Sequence, residues 1–259
     1  MRWAMLLFVA SSVATAGTIE DTIDDARYRA YGDTFAAYTC RVIGVEVAGN
    51  AAHASCVLIS PHWAITAAHV VHDMTRAEVV TATSRHRVDR VFVHQSWTGA
   101  YAEHDIALLH VAEPFGLGRY PPLTDGSERP GDVATAAGWG VTGRLSSGLQ
   151  EGSAGLRAGT QRLTGTEASV WVCKIARTGT PLPLCIAPGD SGGGLWARAA
   201  DGSTRLVGIN SCVTRYGGGK PRHMAGEESC HTRVALYLDW IASICGSLDE
   251  SCSLASCKP

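Results

Sequence analysis

Gly189-Asp190-Ser191-Gly192-Gly193 sets a serine among glycines, and two other segments give that serine a chemistry. Thr66-Ala67-Ala68-His69 offers a base, and Asp105-Ile106-Ala107-Leu108-Leu109 offers an acid. A serine hydroxyl is a poor nucleophile near neutral pH unless a base takes its proton. An imidazole can take that proton and return it. A carboxylate behind the imidazole fixes its tautomer and stabilises the imidazolium. His, Asp and Ser in this chain order match one known arrangement of such a triad. His69, Asp105 and Ser191 are therefore the expected catalytic residues. Gly192 and Gly193 permit turn dihedrals that other residues avoid. Gly189 leaves room for a substrate carbonyl. The N–H groups of Gly189 and Ser191 would form an oxyanion hole, each donor contributing ~3 kcal/mol.

Outward from these segments the chain reads as short β-type runs broken by Gly, Pro, Asn and Asp. Residues 38–47, 55–60, 63–66, 87–94 and 105–111 form a first set. Residues 132–138, 160–163, 169–173, 194–197, 205–210 and 231–234 form a second. Residues 114–130, rich in Pro and Gly, cross from one to the other. Val234, Leu238, Ile241 and Cys245 recur near helical spacing and predict a short amphipathic helix. Many short strands without alternating long helices point to an all-β sandwich or barrel.

The chain has 259 residues, 46% of them hydrophobic, enough for a sizeable core. Charged residues make up 18%, below the usual quarter or so. The net charge of −2 and scattered basic residues give no reason to expect nucleic acid or an anionic membrane as partner. Arg2, the apolar run from Met5 to Ala10 and the A-x-A pattern Ala14-Thr15-Ala16 before Gly17 read as a signal peptide over residues 1–16. The expected location is secreted, extracellular or periplasmic. Nine cysteines suit an exported chain that forms disulfides. CxxC pairs and His/Cys clusters are missing, so no metal and no cofactor is expected. Residues 17–34 are polar, acidic and without period, and read as a propeptide-like or loosely tethered arm. Residues 247–259 form a Cys-bearing tail.

From about Phe35 to Ile241 the sequence resembles the trypsin/chymotrypsin-like serine peptidases. Ala137-Gly138-Trp139-Gly140, Gly208-Ile209-Asn210-Ser211 and His231-Thr232-Arg233-Val234 add to the three motifs. The resemblance implies two six-stranded antiparallel β-barrels, residues 35–120 and 121–246, with the active site between them and a short C-terminal helix. The first barrel would carry His69 and Asp105, the second Ser191. It also implies a soluble, monomeric endopeptidase acting on protein or peptide through an acyl-enzyme. Ser211 would contact Asp105 and bind substrate backbone. A catalytically silent binding module is the alternative; such relatives usually lose a triad member, and all three are present here. A secreted esterase or lipase would usually carry G-x-S-x-G with the His last.

Departures from the family pattern carry further expectations. Val70 stands where a Cys usually follows the catalytic His, so Cys40 and Cys56 are expected as a substitute pair. Cys173–Cys185 resembles a second-barrel pair, and Cys212 and Cys230 would bridge strands flanking the specificity pocket. Cys245, Cys252 and Cys257 stay unassigned. Cys185 occupies the position of an acidic pocket floor, and Val213 replaces a common Gly. The pocket should therefore favour small or medium apolar side chains over Arg or Lys. Asp190 is the expected activation partner of a new amino terminus. No family-like start is found: Thr22-Ile23-Asp24-Asp25 lies at about the right distance but lacks a preceding basic residue, and an internal cation is the other possibility. Residues 72–80 hold only Asp73 and Glu78 as acids, so no calcium loop is expected.

Overall fold

The computed structural model describes residues 17–99, 103–150 and 155–248. The elements run β1 (Thr18–Ile19), α1 (Asp25–Asp33), β2 (Thr39–Glu46), β3 (Ala51–Ser60), β4 (Trp63–Thr66), α2 (Ala68–Val71), β5 (Met74–Val80), β6 (Arg85–Val93) and β7 (Ala107–Val111) in the first half. The second half holds β8 (Val133–Gly138), β9 (Thr142–Arg144), β10 (Gly148–Gln150), β11 (Arg157–Arg162), β12 (Gly165–Glu167), β13 (Val170–Lys174), β14 (Leu184–Cys185), β15 (Gly194–Arg198), β16 (Thr204–Thr214) and β17 (Glu228–Arg233). A 3₁₀ turn over Val234–Tyr237 leads into α3 (Leu238–Leu248).

Strands β2 to β7 close into a six-stranded barrel in the order β2-β3-β4-β7-β6-β5. Its neighbours pair antiparallel throughout. Closure leaves no open sheet edge, and Val42, Val57, Leu58, Trp63, Ile65, Leu108 and Leu109 are all fully buried on its two faces. β3 and β4 are buried on both faces over much of their length. That fits the short apolar runs within them, Cys56 to Ile59 and Trp63 to Ile65, which do not alternate with polar residues.

The second half contains a seven-stranded antiparallel sheet, in the order β11-β8-β15-β16-β17-β13-β12. It has one strand more than the six expected, because β12 folds back as a hairpin partner of β13. Ala134, Ala136, Leu163, Leu195 and Val207 form its core. The C-terminal helix packs Ile241 and Cys245 into the first core, as the helical spacing predicts. Among the described residues no helix is long and apolar enough to cross a membrane. Residues 1–16 and 249–259, with the signal-peptide reading, Cys252 and Cys257, lie outside the described residues.

Residues 17–34 are not a loosely tethered arm. β1 pairs antiparallel with β14 and parallel with β9, forming a four-stranded sheet with β10. Thr18, Ile19 and Tyr28 are buried. The Tyr28 hydroxyl donates to the Pro183 carbonyl at 3.0 Å and accepts the Glu20 N–H at 3.2 Å. Asp24 caps α1, accepting the Ala26 N–H at 2.9 Å. Arg157, 1% exposed, is gripped by both oxygens of Asp25 at 2.5 and 2.8 Å. Glu20 binds Arg177 in the same forked way at 2.6 and 2.8 Å. The acidic residues that gave this segment its tethered look are what seat it on two arginines of the second half.

Candidate active site

His69 lies in α2, directly after β4, and Asp105 lies just before β7. The β4–β7 ladder sets Thr66 opposite Ala107, so two segments far apart in sequence emerge side by side. Asp105 Oδ1 accepts the His69 backbone N–H at 2.9 Å, and Oδ2 faces His69 Nδ1 at 2.7 Å. The Ser211 hydroxyl donates to the same Oδ2 at 2.5 Å. The Thr232 hydroxyl donates to the Asp105 carbonyl at 2.9 Å. Asp105 is fully buried. Burial pushes its carboxyl up, but the hydrogen bonds from His69 and Ser211 and the nearby His69 ring together outweigh burial and hold it below the usual carboxylate range. The group facing His69 is thus an ionised acceptor.

Ser191 lies on a turn of the second half that packs against the first barrel. Its carbonyl accepts the Ser55 N–H of β3 at 2.9 Å, and the following Gly192 N–H donates to the Asn210 carbonyl at 2.8 Å. Gly192 has φ +80°, and a Cβ there would lie 2.0 Å from Thr66 Oγ1 and 3.1 Å from Ala67 N. The turn that carries Ser191 is therefore pressed against the residues leading into His69, an approach only glycine permits.

The flanking peptide is also fixed. The Pro188 carbonyl accepts the Val141 N–H at 2.7 Å. Because the peptide unit is planar and trans, the Gly189 N–H points the opposite way. The Gly189 carbonyl accepts the Ser55 hydroxyl at 2.8 Å, and that hydroxyl accepts the Trp139 N–H at 2.9 Å. One serine of the first barrel thereby ties the Ser191 loop to the AGWG segment. Sequence reasoning missed Ser55, Thr232 and Asn210, whose side-chain amide donates to the Ala137 and Asp190 carbonyls at 3.2 Å each. Single polar residues inside strands give no local pattern to read.

The sequence matches the trypsin family over residues 32–241. The chain belongs to that family, whose enzymes are serine endopeptidases. It is 30% identical over 166 residues to chymotrypsin-C of Rattus norvegicus, covering 60% of this chain and 59% of that protein. It is 28% identical over 207 residues to chymotrypsin-C of Bos taurus, covering 71% and 75%. Among solved structures it resembles HL collagenase, with a TM-score of 0.63 and 20% identity over 85% of this chain and 97% of that one. At that identity the last likeness speaks for the fold.

In this trypsin-family chain the segment after Leu184 is closely packed. Cys185 is fully buried, with its Sγ 3.8 Å from the Ser229 hydroxyl. Val213 stands opposite Ser229 across the β16–β17 ladder. Buried Glu227 gathers the N–H groups of Arg222, His223 and Met224 at 2.9, 2.7 and 3.3 Å, shaping the loop beside them. Behind this wall, His231 is sandwiched between Asn210 Oδ1 and Gln161 Oε1, each 2.9 Å from a ring nitrogen. Burial pushes the His231 imidazole down to about 3.

Cys40, Cys56, Cys173, Cys185, Cys212 and Cys230 are thiols in the structure, so none of the three expected disulfides is formed there. Cys40 and Cys56 are direct ladder partners across β2 and β3, and so are Cys212 and Cys230 across β16 and β17. Cys173 is paired instead with Ser229, and Cys185 with Thr18. Among the described residues no three His, Cys, Asp or Glu side chains gather as metal ligands. His104, one residue before Asp105, adopts φ +51° and meets the Tyr237 hydroxyl at 3.0 Å, while its ring stacks on His94. It supports the turn rather than reaching the triad.

Proposed function

We propose that this chain is a secreted serine endopeptidase that cleaves peptide bonds through an acyl-enzyme, with His69, Asp105 and Ser191 as the triad. The observation that carries the reading is the buried Asp105 carboxylate gripping His69 at both its backbone N–H and Nδ1. With Nδ1–H donating to Asp105, Nε2 is left as the proton acceptor. It takes the Ser191 proton as the oxygen attacks the scissile carbonyl. The imidazolium then returns that proton to the leaving amine. Water, deprotonated by the same nitrogen, releases the acyl group and regenerates the hydroxyl. The developing oxyanion is received by the N–H groups of Gly189 and Ser191.

Protein or peptide is the substrate class, and the protein would work as a monomer without nucleic acid, membrane or cofactor. Val213 and Cys185, with Ser229, supply no carboxylate where a cationic side chain would need one. Small or medium apolar side chains beside the cut fit this lining. In an exported chain, the ladder partners Cys40–Cys56 and Cys212–Cys230 are proposed as disulfides. The test is a fluorophosphonate probe on purified secreted protein, followed by peptide mapping. Covalent mass on Ser191, absent in Ser191→Ala, supports the reading. Lack of labelling on processed, folded protein would favour the silent binding module.

A further inference from the structure

Beside Ser191 a strand edge lies open, and it leads to cations that no acid of the fold neutralises. β15 pairs with β16 from Thr204 to Ile209 and no further. The next residue, Asn210, exchanges backbone bonds with Gly192 and Gly193, both at 2.8 Å. From Cys212 to Thr214, among the described residues, β16 is laddered only on its β17 side. The other side starts at the Ser191 turn and offers N–H and C=O groups to an extended chain laid along it.

Where that edge ends, the sequence runs Arg215-Tyr216-Gly217-Gly218-Gly219-Lys220-Pro221-Arg222, with three cations and no acid. Arg215, Tyr216, Lys220 and Arg222 are all exposed. Gly217, Gly218 and Gly219 have φ between +81° and +91°, and nothing lies within 4 Å of where their Cβ atoms would stand. The tip therefore stands clear of the protein. Its far end is fastened. His223 Nδ1 is 2.9 Å from the Ile186 carbonyl, and the His223 carbonyl accepts the Thr18 hydroxyl at 2.6 Å. The loop thus runs from Val213 on one side of the proposed pocket to the residue after Cys185 on the other. Neighbouring acids are engaged elsewhere. Glu227 is buried among the N–H groups of residues 222–224, and Glu228 stands opposite Lys174 across its ladder. Among the described residues Arg215, Lys220 and Arg222 make no ion pair, whereas Arg85, Arg177 and Arg205 do.

We propose that this loop selects polypeptide substrates that carry Asp or Glu about three to five residues before the cut. The residue whose carbonyl is attacked rests against Val213 and Cys185. The chain that continues past Val213 along the open edge is then the part before the cut, which stays on the protein as the acyl group. An extended chain advances about 3.3 Å per residue, so a segment laid from Ser211 reaches Arg215 about four residues from the cut. Carboxylates at that distance meet Arg215, Lys220 and Arg222, whose charges have no other partner. The pocket then reads the residue beside the cut by size, and the loop reads the residues before it by charge. The cut itself rests on the serine-peptidase reading; capture of an acidic segment by the loop does not.

The test uses the secreted protein and internally quenched peptides with Ala beside the cut. They differ only in the fourth residue before it, which is Asp, Gln or Lys. The Asp peptide is expected to exceed the Gln peptide about five-fold in kcat/KM, through KM, the scale of one or two exposed ion pairs. Salt should erode that preference. The double variant Arg215→Gln, Lys220→Gln should cleave the Asp and Gln peptides equally. The charge-reversed variant Arg215→Glu, Lys220→Glu should favour the Lys peptide, a gain that a misfolded protein cannot give. Equal rates on Asp and Gln peptides, or an Asp preference that survives both variants, would overturn the proposal. Fluorescence anisotropy of the labelled Asp and Gln peptides on Ser191→Ala reads capture without chemistry. Salt-sensitive capture of the Asp peptide, lost when Arg215 and Lys220 are also changed to Gln, together with no hydrolysis by the wild type, would uphold the loop and defeat the peptidase reading. No hydrolysis and no difference in capture would overturn the proposal.

Discussion

The Ser211 hydroxyl and the His69 ring share one oxygen of Asp105, at 2.5 and 2.7 Å. Ser211 comes from β16 of the second half, His69 from the first barrel, so this oxygen joins the two halves. A hydrogen bond to a charged group contributes about 1.5–3 kcal/mol. Ser211→Ala removes one of the bonds that hold the Asp105 carboxyl low. The expected result is a roughly 10-fold fall in kcat/KM and an acid limb of the pH–rate profile shifted upward. Ser211→Thr, which keeps the hydroxyl, should retain the wild-type limb. Steady-state rates on a peptide amide from pH 4 to 9 decide it.

Gly192→Ala tests the closeness of the two halves directly. The new methyl would meet Thr66 Oγ1 at 2.0 Å and the Ser55 carbonyl at 2.3 Å, on a backbone with φ +80°. The Ser191 turn must then back away from His69. Misplacement of a reacting group by about 1 Å costs on the order of 100-fold. Labelling of Ser191 should slow by that order while the fold, read by circular dichroism, persists. An unchanged labelling rate would show that the turn has slack.

The sequence disclosed what is local. The glycines around Ser191, the TAAH step and the apolar strand after Asp105 are contiguous patterns, and β3 and β4 carry short apolar runs. What stayed hidden depends on partners far away in the chain. Glu20 and Asp25 look like features of a solvated tail until Arg177 and Arg157 are found opposite them. Ser55 and Asn210 carry no motif, yet each bonds the nucleophile loop from a different strand. Gly17 was readable as a processing junction but not as a neighbour of Asp190, because nothing in residues 17–20 signals a strand shared between β9 and β14. The short β12 hairpin, three residues long, was below what alternation can reveal.

The pair Arg157–Asp25 gives a stability prediction with a sign. Arg157 is 1% exposed and Asp25 23%, so Asp25→Ala removes a forked, charge-assisted bond from a buried guanidinium, at a cost of about 1.5–3 kcal/mol. Asp25→Ala should therefore destabilise the protein and loosen α1 on β11. Replacing both members with apolar residues of similar volume should recover much of the loss. Urea unfolding of the two single variants and the double variant gives the coupling. Additive losses in the double variant would mean that the pair does not act as a unit.

The Asp190 carboxyl, the expected partner of a new amino terminus, accepts the Gly17 N–H and so supplies a pH test of that pairing. While Gly17 is still an amide, the folded-state value is about 7 against a reference of 3.8. The unfolded chain then gives up this proton at lower pH than the folded one. Below pH 3.8 the group costs the fold nothing. Stability is lost as pH rises from there through about 7, and the loss levels off above, at roughly 4 kcal/mol. Once Gly17 carries an ammonium, the adjacent positive charge favours the carboxylate and draws its value down toward or below the reference. The downward slope should shrink or vanish in that window. Other groups move both curves, His231 among them, since its depressed value removes stability as pH falls below its ordinary range of about 6.5. They are common to the two forms and cancel in the difference. Unfolding free energies of the chain with and without residues before Gly17, taken at pH 4, 5.5 and 7, should therefore diverge as pH rises, with the processed form ahead. Parallel curves would show that the Gly17 nitrogen does not carry its charge to Asp190.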